Sequence, residues 1–168
     1  MTSLKWLSLC LALALPCAAA EVEDPGKTKI GLVSVAVYHA TNGDAKTAGL
    51  TTTKVSKETE ERLRGEERLR FKHYGLLGKD TQPLLRSYES WAQPLKPSEE
   101  VLVRFEAQAR PTKKATVLDV ELWLSRKKIV KTDVSLEGKR PLFFLGPEYR
   151  GGRLIISVAL ASEPKPAP

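Results

Sequence analysis

The chain has 168 residues, with 27 Lys and Arg against 20 Asp and Glu and 42% hydrophobic residues. This length is enough for one domain, and this composition excludes a disordered chain, a collagen-like repeat and a polytopic membrane protein. With only 2 Cys and 2 His, the chain is neither a zinc ribbon nor a disulfide-dense scaffold.

The first twenty residues have the pattern of a secretory signal peptide. Lys5 supplies positive charge, Trp6–Leu15 is an apolar segment, and Ala18–Ala20 offers a small-residue cleavage site. The apolar segment has about ten residues, whereas a membrane-spanning helix needs about 20. We therefore expect residues 1–20 to be removed on export to the periplasm or extracellular space, leaving no transmembrane segment in the mature chain.

The few cysteines and histidines limit the chemistry of the exported part. Cys10 and Cys17 both lie in the predicted signal peptide, so the exported domain has no thiol for catalysis, metal binding or a disulfide. His39 and His73 are 34 positions apart, and they form no short-spaced pair of the kind that binds metals. The sequence therefore predicts neither a metal site nor a cofactor.

Composition divides the exported part into three segments. Residues 21–28 are polar and contain the turn signal Pro25-Gly26, which is typical of a flexible leader. A single domain is predicted over residues 29–161. Residues 162–168 are rich in proline and predict a disordered tail.

The periodicity within the domain is mainly that of β-strands. One short surface helix is predicted near residues 56–68, where Ser56 can cap the first turn. Elsewhere apolar and polar residues alternate in short runs that are separated by turn signals. The runs lie at 30–38, 69–77, 84–91, 101–109, 116–124, 129–136, 142–145 and 154–160. Gly78 closes the second run, and Gly146-Pro147 through Gly151-Gly152 is predicted to be a hairpin connection. This spacing predicts an antiparallel β-sandwich of about seven to eight strands.

Positive charge is concentrated in the second half of the domain. Between Arg110 and Arg153 there are eleven Lys and Arg against five Asp and Glu. Most of these cations lie in predicted turns, and they include four candidate binding residues: Lys127, Lys128, Lys139 and Arg140. Such turns can attract an anionic polysaccharide or acidic head groups, although cations at sheet edges also keep sheets soluble.

One strand carries two carboxylates beside an aromatic ring. Asp119, Glu121 and Trp123 alternate on one face, and alternate residues of a strand lie about 6.6–6.8 Å apart. Glycoside hydrolases use paired carboxylates at such distances, so Asp119 and Glu121 are candidate catalytic residues. Pairing with the preceding strand offers a structural explanation, because face matching puts Arg104 opposite either Glu121 or Asp119.

The remaining candidates are aromatic. Tyr88, Trp91 and Trp123 are candidate ligand-binding residues, because large amphipathic aromatics are enriched at interfaces. The sequence contains no nucleophile elbow, phosphate loop or dinucleotide fingerprint, and no RNA-binding or DNA-binding motif. It favours a non-catalytic binding or structural module that contacts an anionic polysaccharide or an envelope protein. The alternatives are a small carbohydrate-active enzyme and a basic module held electrostatically on an anionic surface.

Overall fold

Two antiparallel sheets of 4 strands each form the protein in a computed structural model, with 56% of residues in strands and 11% in helices. The structure describes residues 23–44, 49–109, 111–112 and 115–162. This architecture confirms the predicted β-sandwich with one short helix. The predicted signal peptide and residues 163–168 of the predicted tail lie outside the described residues.

The strands follow the chain in a simple order. They are β1 (Lys29–Thr41), β2 (His73–Leu85), β3 (Ser90–Ala92), β4 (Val101–Ala107), β5 (Thr116–Leu124), β6 (Lys127–Leu136), β7 (Leu142–Tyr149) and β8 (Gly152–Ala161). Sheet A has the order β2-β1-β8-β7 and sheet B the order β3-β4-β5-β6. The helix α1 (Lys57–Gly65) and two single 3-10 turns, Pro25–Lys27 and Glu67–Leu69, complete the fold.

The main core lies between the two sheets and is built from every second residue of each strand. Because successive side chains point to opposite faces, β1 directs Val33, Val35 and Val37 inward, where they are fully buried. Sheet B packs against them with a second set of aliphatic and aromatic side chains: Val101, Val103, Phe105, Leu118, Val120 and Leu122. The apolar residues of the period-two pattern in the sequence therefore form the inner face of the sandwich.

A smaller core covers part of the outer face of sheet A. The side chain of Ser56 accepts a hydrogen bond from the Thr59 N–H at 3.2 Å and begins α1. Leu63 is the one buried residue of the helix, and it packs in a cluster with Tyr38 and Ile155 of the sheet. Since α1 is only 9 residues long, it leaves the rest of this sheet face uncovered.

Gly78 does not end a strand, which corrects the prediction that it closes the second run. β2 continues through Gly78 to Leu85, and the predicted strand over 84–91 is replaced by the end of β2 and the short β3. A Cβ at position 78 would lie 1.9 Å from the carbonyl oxygen of Pro94. The glycine therefore allows a close backbone approach and does not form a turn.

The connection before β8 is also shorter than predicted. β7 continues through Gly146-Pro147, with a register shift between Leu145 and Glu148, and the turn itself is Arg150-Gly151 with φ values of 44° and 73°. Proline is accepted in β7 because this strand is at the edge of sheet A. Gly146-Pro147 thus coincides with an irregularity within β7, and the residues with positive φ form the turn.

The end of the predicted leader contacts the domain. Asp24 caps the first 3-10 turn by accepting a hydrogen bond from the Gly26 N–H at 2.8 Å. The Tyr88 hydroxyl donates to the other oxygen of Asp24 at 2.5 Å, and the Ser87 N–H donates to the Gly26 carbonyl at 3.1 Å. Residues 24–28 therefore pack on the loop that joins β2 to β3.

Candidate functional site

The outer face of sheet B carries most of the candidate residues. On β5, Asp119, Glu121 and Trp123 point away from the core, because Leu118, Val120 and Leu122 occupy the inward positions. Arg104 of β4 lies directly opposite Glu121, which is one of the two predicted registers. On the other side of β4, the pairing with β3 places Trp91 opposite Arg104.

Arg104 is the centre of an ion-pair network on this face. Its guanidinium lies 2.7 Å from Glu106, 3.2 Å from Asp119 and 3.8 Å from Glu121, and its Nε donates to Glu89. The hydrogen bond to Glu89 is the largest cause that raises the pKa of Arg104, and Asp119 and Glu121 add to it. The guanidinium is suited to this role because it offers five donors in a fixed plane.

Two lysines of β6 complete the network. Lys128 Nζ lies 2.8 Å from Glu121, and Lys131 Nζ lies 3.0 Å from Asp119 and 3.5 Å from Glu121. The side chains of Asp119 and Glu121 are only 7% and 5% exposed. The two candidate carboxylates are thus nearly covered and held between three cations.

The two tryptophans form a pair that the network orients. Their ring centroids are 5.8 Å apart and the rings are tilted by 55°. The indole N–H of Trp91 donates to Glu89 at 2.9 Å, and that of Trp123 donates to Glu121 at 3.0 Å. Lys128 lies over the Trp123 ring at 5.3 Å from its centroid. Trp91 is 39% exposed and Trp123 is half-buried, so the pair is held in position with Trp91 open to solvent.

Glu121 is held in its charged form. The hydrogen bond from Lys128 is the largest cause that lowers the pKa of Glu121, and it outweighs the opposing effect of burial. A glycosidase needs one carboxyl group with a raised pKa to protonate its leaving group. The surroundings of Glu121 shift its pKa in the opposite direction.

The lowered pKa of Glu121 predicts a loss of stability in acid. A carboxyl group whose pKa is lower in the folded state stabilises the fold above its unfolded pKa, about 4.3 for Glu. This contribution is lost as the pH falls through the folded value. We expect the melting temperature, followed by circular dichroism, to be level near neutral pH and to fall below about pH 4. In Glu121→Gln the acid fall should be shallower.

Glu58→Gln provides the control for this measurement. Glu58 is exposed in the first turn of α1, outside the network. Its acid profile should match that of the unmodified chain. Parallel profiles for Glu121→Gln and the unmodified chain would show that Glu121 is not linked to acid stability.

Four of the predicted binding residues lie away from the tryptophan pair. Tyr88 bonds to Asp24 near the start of the described chain, and Lys127 is an exposed residue at the start of β6. Lys139 and Arg140 are adjacent in the turn between β6 and β7, but they line different depressions, one on each side of that turn. Of the predicted cations, only Lys128 joins the pair.

The turn cations divide between the two ends of the sandwich. The Ser125 N–H donates to the Glu100 carbonyl at 2.8 Å, and the Tyr149 hydroxyl donates to the Glu100 carboxylate at 2.9 Å. The turns that carry Arg126 and Arg150 therefore meet at one end. Arg110, Lys113 and Lys114 of the first predicted basic turn lie outside the described residues.

Some residues of this face were missed in the sequence. Lys131 reaches Glu121 only because β6 carries a bulge, with Leu122 opposite Val130 and Trp123 opposite Lys128. Glu89 lies in a loop, and no periodic signal marks it. Neither residue could have been assigned without the paired strands.

The other chemical groups of the described chain give no further centre. His39 is buried, and its Nε2 lies 3.1 Å from the Tyr149 carbonyl oxygen. Among the residues that the structure describes, no three His, Cys, Asp or Glu side chains are grouped to hold a metal ion. Within the same ranges, no helix has the length and apolar character to cross a membrane.

Protein-family models, curated proteins and solved structures give no match to this chain.

Proposed function

We propose that this chain is a non-catalytic binding module of the cell envelope or extracellular space, and that it binds a neutral saccharide on the outer face of sheet B. The observation that carries the proposal is the pair formed by the exposed Trp91 and the half-buried Trp123, whose rings are 5.8 Å apart. Their N–H groups are already bonded to carboxylates, so the rings are oriented before a ligand arrives. The signal-peptide pattern of residues 1–20 supports the location.

The chemistry around the pair suits a sugar. A pyranose ring has a C–H face that packs on the electron-rich face of an indole, and its hydroxyl edge needs donors and acceptors. Glu89, which accepts from Trp91, and Lys128, which lies over Trp123, supply both at the rim of the pair. The 55° tilt between the rings favours a single glycan chain, because a flat crystalline surface requires coplanar rings.

The charge on this face favours a neutral ligand. Within the described residues it carries more acids than bases, and the bases are already paired with the acids. The acids are Glu89, Glu106, Asp119, Glu121 and Asp133, and the bases are Arg104, Lys128 and Lys131. An anionic polysaccharide would be repelled by the surplus carboxylates.

Catalysis by Asp119 and Glu121 receives less support. Both carboxylates are nearly covered by the cations that pair with them, so a glycosidic oxygen has no access to either one. The alternative has a direct test, since an enzyme would release reducing ends from a glycan and lose this activity in Asp119→Asn and Glu121→Gln. Hydrolysis by the unmodified chain that these variants abolish would replace the binding proposal.

The binding test uses intrinsic tryptophan emission. Trp6 lies in the predicted signal peptide, so emission from the exported chain comes from Trp91 and Trp123. We expect a neutral hexasaccharide of glucose, mannose or xylose to shift this emission. Affinity electrophoresis should show about a tenfold loss or more in Trp91→Ala and in Trp123→Ala, because each removes one stacking face.

Leu142→Ala is the matched control. Leu142 is 38% exposed, but it belongs to β7 in the other sheet. This variant should retain the affinity of the unmodified chain. If none of the three hexasaccharides binds, or if both tryptophan variants bind as well as Leu142→Ala does, the proposal is wrong.

A further inference from the structure

A trough crosses the uncovered part of the outer face of sheet A, beside the start of α1. Its volume is about 850 Å³. The sheet register builds its floor from two rows that cross three strands. One row is Thr81, Ser34 and Ala159, and the other is Lys79, Ala36 and Ser157. Small hydroxyl and methyl groups therefore alternate at the centre of the floor. Larger apolar side chains line other parts of the trough: Leu32, Tyr38, Leu76 and Leu160.

Among the described residues, three lysines line the trough and no acid does. Lys54, Lys79 and Lys139 are exposed residues of its wall. Within the described part of the chain, none of the three takes part in an ion pair. The outer face of sheet B is the opposite case, because its cations are matched to carboxylates. The two faces of the sandwich thus differ in charge, because the outer face of sheet B has a surplus of carboxylates and the trough has unmatched positive charge.

The positions of the lysines indicate the shape of an occupant. Lys79 is on β2 and Lys139 is in the turn that enters β7, and these two strands are the opposite edges of sheet A. Strands are about 4.8 Å apart, so β2 and β8 are about 10 Å apart across the floor. Cations on opposite sides of a depression attract an anion that enters it and can contact both walls.

We propose that this trough binds a segment of an acidic polysaccharide, with uronate as the sugar class. The uronate carboxylates would pair with Lys54, Lys79 and Lys139, and the sugar hydroxyls would bond to Ser34 and Thr81. The apolar faces of the rings would lie on the methyl groups of the floor. This site is separate from the tryptophan pair, so it does not depend on the neutral-sugar proposal.

An acidic glycan fits the trough better than a lipid surface does. A flat membrane would remain outside the depression and would contact only the tips of the lysines. The centre of the floor is built from alanine and serine, and these short side chains give an acyl chain little apolar surface there. A narrow polar chain with repeated carboxylates can use both the walls and the floor.

The test is calorimetric titration of the full exported chain with hexagalacturonate. We expect binding that weakens strongly when salt is raised from about 50 to about 300 mM. The triple variant Lys54→Gln, Lys79→Gln, Lys139→Gln should lose about tenfold or more in affinity. Thr81→Glu adds an acid at an exposed position of the floor and should cause a similar loss while the fold is retained.

A second triple variant separates a local site from general charge. Lys27→Gln, Lys72→Gln, Arg86→Gln removes the same number of charges from exposed positions outside the trough and should bind like the unmodified chain. Equal losses in the two triple variants, or no binding of hexagalacturonate, would overturn the proposal. So would sedimentation of the chain with anionic phospholipid vesicles in place of hexagalacturonate binding.

The tryptophan variants show which site has failed. A chain with Trp91→Ala and Trp123→Ala should still bind hexagalacturonate, because its trough is intact. If this double variant loses the acidic glycan and the trough variants keep it, the ligand lies on sheet B and the trough assignment is wrong. Loss of neutral-sugar binding alone would leave the trough proposal standing.

Discussion

Replacing Arg104 with methionine should lower the free energy of unfolding by about 3 kcal/mol, as expected when one partner of a largely buried ion pair is removed. Methionine keeps most of the length of the side chain but removes the cation shared by four carboxylates. Asp119 is the most affected, since its Oδ1 is buried without a hydrogen-bond partner among the described residues. Its charge is compensated only through Oδ2, by Arg104 and Lys131.

Urea denaturation followed by circular dichroism measures this loss. Arg68→Met is the control, because Arg68 is exposed in the 3-10 turn after α1 and lies outside the network. Its effect should be within about 0.5 kcal/mol. A stability of Arg104→Met equal to that of Arg68→Met would show that the network contributes little to the fold.

Replacing Gly78 with alanine should destabilise the protein by about 3 kcal/mol, at the upper end of the effect of overpacking. The new Cβ would lie 1.9 Å from the Pro94 carbonyl oxygen and 3.0 Å from the carbonyl carbon. Because both are backbone atoms, the clash cannot be relieved by a change of side-chain rotamer. The neighbouring segment is also held in place, because Asp80 accepts hydrogen bonds from the Gln93 N–H and from Lys96. The β2 strand and this segment would have to separate.

Gly31→Ala should have the opposite sign. Gly31 lies in β1, where an added Cβ would meet only Leu84 at an ordinary contact distance of 3.9 Å. Alanine in a strand is favoured over glycine by about 0.5–1 kcal/mol, so thermal melting should show a small gain. Equal melting temperatures for the two alanine variants would contradict the close approach at Gly78.

The fold could be predicted from the sequence because a strand that is buried on one face has alternating apolar and polar residues. Alternation over Val101–Ala107 and Thr116–Leu124 marks the inner face of sheet B, and Ser56 marks the start of α1. Glycine and proline gave wrong turn predictions at positions where they lie inside strands. Gly78 and Pro147 both lie inside strands, one beneath a carbonyl group and one on a sheet edge.

The site was predicted only where a single hairpin defines it. The parity of two adjacent strands limits the residue opposite Arg104 to Glu121 or Asp119, and the structure has Glu121 there. The meeting of Trp91 with Trp123 requires β3 to pair with β4, and no local pattern reports that pairing. Lys54, Lys79 and Lys139 come from three separate segments, so their common trough could not be read from spacing.

The sequence alone determined the strand faces, the capped helix and the charged β5 strand, because these features depend on residues that are close together in the chain. Long-range pairing decided the rest. The bulge in β6 turns Lys131 toward Glu121, and the short α1 leaves part of the outer face of sheet A open. Both outcomes depend on contacts between distant segments, whose free energies are set by packing in three dimensions and have no periodic signature in the chain.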